Sequence, residues 1–256
     1  MLGLGNSIIT SGAPSEFTID SLSSAVHWYK FSGTGEGITL NGSDVAQWND
    51  SIGSNHLTQS DASKQPAYNS GNISFNAATT IEKLEFTSKV NLLDLTICVV
   101  VDFSGTTPSP SNETLLGSSV GSDADLLRFA AGGGQLQRNR IQVDDVGAGL
   151  VDISTDVTDP DYPTTTKYVF TVTRDADGGN GNGLVTMYAD ETNKGSGNFN
   201  VDVSTDNFGI DQVGSQFASS NSFQGKLSEM VIFNAVLSDA DRALVIQDIK
   251  TRNSIS

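Results

Sequence analysis

The residues able to do chemistry in this 256-residue chain are few and widely spaced. Its two histidines, His27 and His56, lie too far apart in sequence to form a paired metal site on one element. His27 stands beside Trp28 and is expected to be a hydrogen-bonded structural residue. Cys98 is the single thiol, so no internal disulfide can form. It has no cationic sequence neighbour to favour a thiolate, and its apolar surroundings predict a buried packing residue. Retaining glycoside hydrolysis needs two carboxyl groups about 5 to 5.5 Å apart. Glu82 and Glu85 would fall on opposite faces of a strand, and Glu229 stands alone in its own. No Glu-x-Asp-x-x-Glu strand motif, nucleophile elbow or triad is present, so an enzyme is not expected.

Oxygen ligands recur in the stretch Asp175 to Gly183, where Asp175, Asp177 and Asn180 are interleaved with glycine. The twelfth residue counted from Asp175 is Thr186, where a helix-loop-helix calcium loop carries a bidentate Glu. An ordinary hairpin turn is therefore the main expectation, with calcium as its alternative. Asp152, Asp156, Asp159 and Asp161 are ambiguous in the same way. No resident cofactor is expected.

The elements that would position these groups are strands. Leu93, Leu95, Ile97, Val99, Val101 and Phe103 alternate with Asp94, Thr96, Cys98, Val100 and Asp102, which predicts a strand with one wholly apolar face. At about 1.5 to 3 kcal/mol per buried large side chain, that face requires a second layer. Shorter runs around Ile73, Leu84, Leu115, Asp125 to Ala130 and Arg138 to Val143 follow at the spacing of an antiparallel sandwich. Lys167 to Arg174 and Leu184 to Asp190 then form a hairpin across the glycine-rich turn. Ser238, with Asp241 three residues on, is a helix N-cap, and Leu244, Val245 and Ile249 are expected to pack that helix on the sandwich. No repeat divides the chain. Residues 1–22 read as an N-terminal arm whose Leu2, Leu4, Ile8 and Ile9 are candidate assembly contacts, and residues 23–256 as one domain.

Thirty acidic against fourteen basic side chains give a net charge of -16, which repels nucleic acid and anionic membrane surfaces. No apolar run reaches the ~20 residues of a membrane helix, and the N-terminus lacks the basic flank and apolar core of a secretory signal.

Two segments resemble a known family. Trp48-Asn49-Asp50-Ser51-Ile52-Gly53, followed by Gln59 and then Gln65-Pro66, is similar to the N-terminal signature of laminin G-like domains in the concanavalin A-like lectin and glucanase superfamily. Phe223 to Asn234, running into Leu237-Ser238-Asp239-Ala240-Asp241, resembles the C-terminal pattern of the same domains. Trp48 would anchor a strand end, Asp50 and Ser51 would bond the turn backbone, and Gly53 would suit a positive φ. The resemblance implies an all-β fold: a two-sheet antiparallel jelly-roll sandwich with one short C-terminal helix. Together with the acidic, disulfide-free, leaderless chain and its apolar arm, it implies a noncatalytic structural protein of tailed bacteriophage virions. Such a capsid-decoration or tail-associated module is made in the host cytoplasm. Its expected partners are other virion proteins, with a second copy of the chain as an alternative. The competing reading is a carbohydrate-binding adhesin for host-surface glycans, with Tyr162 and Phe217 as candidate stacking aromatics.

Overall fold

The computed structural model describes residues 17–31, 37–76, 81–104, 112–120, 125–132, 135–143, 149–154, 166–216 and 222–256. Numbered in chain order, one layer carries β1 (Ala25–Lys30), β17 (Gly225–Phe233), β8 (Leu95–Asp102), β13 (Tyr168–Asp175), β14 (Leu184–Ala189) and β15 (Thr192–Asn198), in that spatial order. The other runs from β2 (Ile38–Asn41) through β3 (Asp44–Trp48), β4 (Leu57–Thr58), β7 (Leu84–Leu92), β16 (Phe208–Val213), β9 (Asn112–Gly117), β10 (Leu126–Gly132) and β11 (Gln135–Val143) to β12 (Gly149–Ser154). All these pairs are antiparallel. Two short strands, β5 (Ala67–Tyr68) and β6 (Ile73–Phe75), carry the ladder from β3 to β17 and so stitch the layers together along one side. This is the expected jelly-roll sandwich.

The alternation read from the sequence sorts the side chains as a sandwich requires. Leu95, Ile97, Val99 and Val101 of β8 meet Phe170, Val172, Met230 and Ile232 in the inner core. Leu93 does not join them; it lies before the strand and is 39% exposed. The opposite face of β8 is sealed as well. Cys98 and Val100 pack with Val169, Val231 and Phe233 under the helix α1 (Asp239–Asn253).

The helix is seated by local chemistry. Ser238 Oγ accepts the Asp241 N–H at 3.1 Å, capping the first turn as expected. Thr96 Oγ1 on β8 donates to the Ala235 carbonyl at 2.9 Å and accepts the Leu237 N–H at 3.0 Å, fixing the approach to the cap. Val245, Ile246 and Ile249 form the buried stripe, whereas Leu244 is 42% exposed. Positions 245, 246 and 249 share one helical face and 244 falls outside it, which corrects the expected contact set. Ile19, in a short turn before β1, is also buried in this cluster, so the folded body reaches into the segment 1–22.

Charged side chains are also buried, among them Glu113, Asp125 and Arg174. Arg174, on the core side of β13, is fully buried and donates to the carbonyls of Leu92 at 3.3 Å, Val203 at 2.7 Å and Asp206 at 2.7 Å, and to that of Leu93. It plugs one end of the core by tying two connections to a central strand.

Candidate functional site

A cavity among the described residues arises from an irregularity in β17. On one flank this strand pairs with β6 over Gly225–Leu227 and with β1 over Glu229–Phe233. On the other it pairs with β8, and there the register shifts between Leu227 and Glu229. Ser228 is the extra residue of this bulge. Leu227 and Met230 both point into the core, so Ser228 and Glu229 both emerge on the outer face. Because β6 starts at Ile73 where β1 stops at Lys30, a gap opens beside them between Phe31 and the Ser70–Asn72 turn. That turn is tight: Ser70 has φ 27° and Gly71 φ 94°.

The resulting cleft has a volume of about 360 Å³ and is lined by Phe31, Ser70, Gly71, Asn72, Asp102, Lys167, Ser228, Glu229 and the last turn of α1. A second cleft of about 340 Å³ shares Lys167 and Ser254 with it and reaches Tyr168 and Asp190. Each is the size of a small-molecule site.

Most charges here have a partner. Glu229, 2% exposed, accepts from Trp28 Nε1 at 2.7 Å, Arg252 at 2.8 Å and Asn253 Nδ2 at 2.7 Å. Arg252 also pairs with Asp248 at 2.5 Å. Lys30 Nζ lies 3.3 Å from the centre of the Trp28 ring, and burial followed by the nearby Arg252 charge lowers its pKa. Glu229 therefore locks the end of α1 to the sheet, and its oxygens are committed to that task. Asp102 accepts the Ser104 N–H at 2.7 Å and lies 3.6 Å from Lys226. In contrast, Ser228, 5% exposed, makes no side-chain hydrogen bond to a described residue, and Lys167 makes neither an ion pair nor a side-chain hydrogen bond to one. One face of Phe31 stacks on Trp48, with ring centres 5.2 Å apart and planes 13° from parallel. The cleft thus offers a hydroxyl, an ammonium and fixed carboxylates beside an aromatic wall. That is suited to holding a polar molecule in one orientation.

The motif around Trp48 is structural. Trp48 is buried, with Nε1 donating to the Lys30 carbonyl at 3.3 Å. Asp50 accepts the N–H groups of Trp28 at 3.0 Å and Ile52 at 3.3 Å, and contacts His27 Nδ1 at 2.8 Å. Burial alone would raise the Asp50 pKa, but these hydrogen bonds and the adjacent imidazole carry it below the ordinary value. The fold also brings in His56, whose Nδ1 accepts the Asp50 N–H at 3.1 Å. Both histidines thus converge on one aspartate, which their sequence separation concealed. Gly53 is needed for a reason other than the expected positive φ. A Cβ there would lie 2.4 Å from Asp50 Oδ2.

Cys98 is buried as expected, and burial pushes its thiol up to about 12. Glu85 pairs with Lys83 at 2.6 Å, while Glu82 precedes β7 and accepts the Asn76 N–H at 2.7 Å. Asp175 ends β13, and Asp177 and Asn180 lie in the turn that leads to β14. Asn180 Oδ1 already accepts the Asn182 N–H at 3.1 Å, and among the described residues no group of three His, Cys, Asp or Glu is arranged to hold a metal ion. Leu2, Leu4, Ile8, Ile9, Tyr162 and Phe217, and the run Asp156 to Asp161, lie outside the described residues.

No family model and no curated protein matches the sequence. Solved structures do match the fold. The receptor-binding domain of botulinum neurotoxin D superposes with a TM-score of 0.60 at 12% identity, covering 90% of this chain and 54% of that one. The type G receptor-binding domain gives 0.57 at 13%, covering 89% and 52%. The serotype D ligand-binding domain in complex with N-acetylneuraminic acid gives 0.59 at 13%, covering 88% and 51%. The chain spans about half the length of these structures. At such identity the likeness establishes the jelly-roll fold and nothing finer.

Proposed function

We propose that this chain is a noncatalytic, lectin-type binding module that holds a glycan in the cleft at the β17 bulge. The observation that carries the reading is the bulge itself, which turns two successive polar side chains, Ser228 and Glu229, outward into a gap between β6 and β1. Glu229 is engaged by Trp28, Arg252 and Asn253, and is therefore a fixed wall and not a nucleophile. A hydroxyl in the cleft wall without a partner among the described residues suits a polyhydroxylated ligand, because an unmet polar group gains most from a fitted donor or acceptor. The complex of one similar structure with N-acetylneuraminic acid is in keeping with this reading.

A glycan array probed with folded protein tests it. Binding that is lost in Ser228→Ala, without loss of fold, supports the site; an array without hits removes the reading.

The second reading is a structural module exposed on a bacteriophage virion, on capsid or tail. The laminin G-like resemblance supports it, as does the way Asp50, Cys98 and Glu229 are all built into the frame, leaving a rigid body. The two readings are compatible, since an adhesin on a particle is both. Mass spectrometry of purified particles tests it, and absence of the chain from them excludes it. In neither reading does the protein need a resident cofactor.

A further inference from the structure

Lys167 lies where the two clefts meet and lines both. The other charged side chains facing them are engaged: Asp102 by the Ser104 N–H and by Lys226 at 3.6 Å, Glu229 by Arg252 at 2.8 Å, and Arg252 also by Asp248 at 2.5 Å. Asp190 accepts the Val169 N–H at 3.0 Å. Lys167 alone of these has neither an ion pair nor a side-chain hydrogen bond to a described residue. In a chain with 30 acidic and 14 basic side chains, carboxylates are in surplus, yet no described one pairs with this ammonium.

We propose that Lys167 anchors a single carboxylate on the ligand, so that the glycan is one carrying an acidic sugar, of uronic acid type, flanked by neutral sugars that extend along the clefts. The proposal rests on the lectin-type reading of the same site. A carboxylate at contact distance from Lys167 forms a charge-assisted hydrogen bond. The Ser228 hydroxyl lies in the wall of the larger cleft, available to a neighbouring sugar hydroxyl. The net charge of -16 limits how acidic the ligand can be. Repulsion between the protein and its ligand grows with ligand charge, so one carboxylate is tolerated where a polyanion is repelled, and physiological salt screens the remainder beyond about 8 Å.

The test compares an aldobiouronic acid, glucuronic acid joined to a neutral hexose, with its methyl ester, which keeps the sugar and removes the charge. Calorimetric titration of wild type is expected to give about tenfold tighter binding of the acid, the worth of one charged hydrogen bond. Lys167→Gln should abolish the preference and Lys167→Arg should retain it, both with unchanged melting temperature, since the side chain supports nothing else. Equal affinity for acid and ester, failure of the acid to bind, or a preference surviving Lys167→Gln each overturns the proposal. If neutral glycans still bind through Ser228, the lectin-type reading stands without it; if no glycan binds at all, that reading falls as well.

Discussion

Glu82 is the residue through which pH should act most directly on stability. Burial, with a smaller contribution from the Asp44 charge, outweighs the Asn76 N–H and pushes its carboxyl up to about 7 from the usual 4.5. Between those values the folded state keeps a proton that the unfolded chain has released, so this residue makes stability fall as pH rises through the interval. Glu82→Gln should therefore raise the melting temperature at pH 8 while leaving it near wild type at pH 4, which a thermal series across pH reads directly. Asp50 acts in the opposite sense. Its lowered pKa supplies stability that is present above the ordinary carboxylate range and lost on acidification. Cys98 should resist iodoacetamide in the native protein and react only after denaturation, because a buried thiol held at about 12 is not ionised near neutrality. Arg174 is the most consequential core substitution. Arg174→Met leaves carbonyls of Leu92, Leu93, Val203 and Asp206 without their donor, and a loss of about 3–5 kcal/mol in urea unfolding is expected.

Among the elements, β8 and α1 depend on each other. The helix has one buried stripe, which covers the outer face of β8 together with Ile19. Glu229→Ala would release Trp28, Arg252 and Asn253 together, so the last turn of α1 should lose hydrogen-exchange protection, with a stability cost of about 3–5 kcal/mol. The main strand could be read from its alternation and the helix start from Ser238, since both are properties of adjacent residues. The packed partner of Cys98 and Val100 could not, because it lies more than a hundred residues downstream and its stripe includes Ile246 in place of Leu244. The cleft was equally hidden. Ser228 is exceptional only because β17 slips its register against β8, and a bulge is a relation between strands. Lys167 looked like an ordinary strand-start residue, since its isolation depends on what the fold leaves opposite it.

At the scale of the molecule, the sandwich has its seam on one side through β5 and β6, while on the other the Leu150 N–H donates to Asn200 Oδ1 at 2.9 Å, drawing the layers together. We propose that such a frame holds without a metal staple. Addition of calcium or of a chelator should leave the melting temperature unchanged, and a calcium-dependent rise would instead assign an ion to the Asp175 to Gly183 turn or to the aspartates near Asp152.

The pairing of β1 with β17 also constrains how the protein is made. Trp28 meets Glu229 across 201 positions of chain, and β17 simultaneously supplies the neighbour of β8 and the end of the seam. An emerging polypeptide therefore holds β1 without its ladder partner until β17 has left the ribosome. Closure is then a late, long-range and slow event, as expected when contacts are far apart in sequence. A chain halted before Gly225 should remain without fixed tertiary structure, and the change in Trp28 emission on release should mark the moment the sandwich shuts.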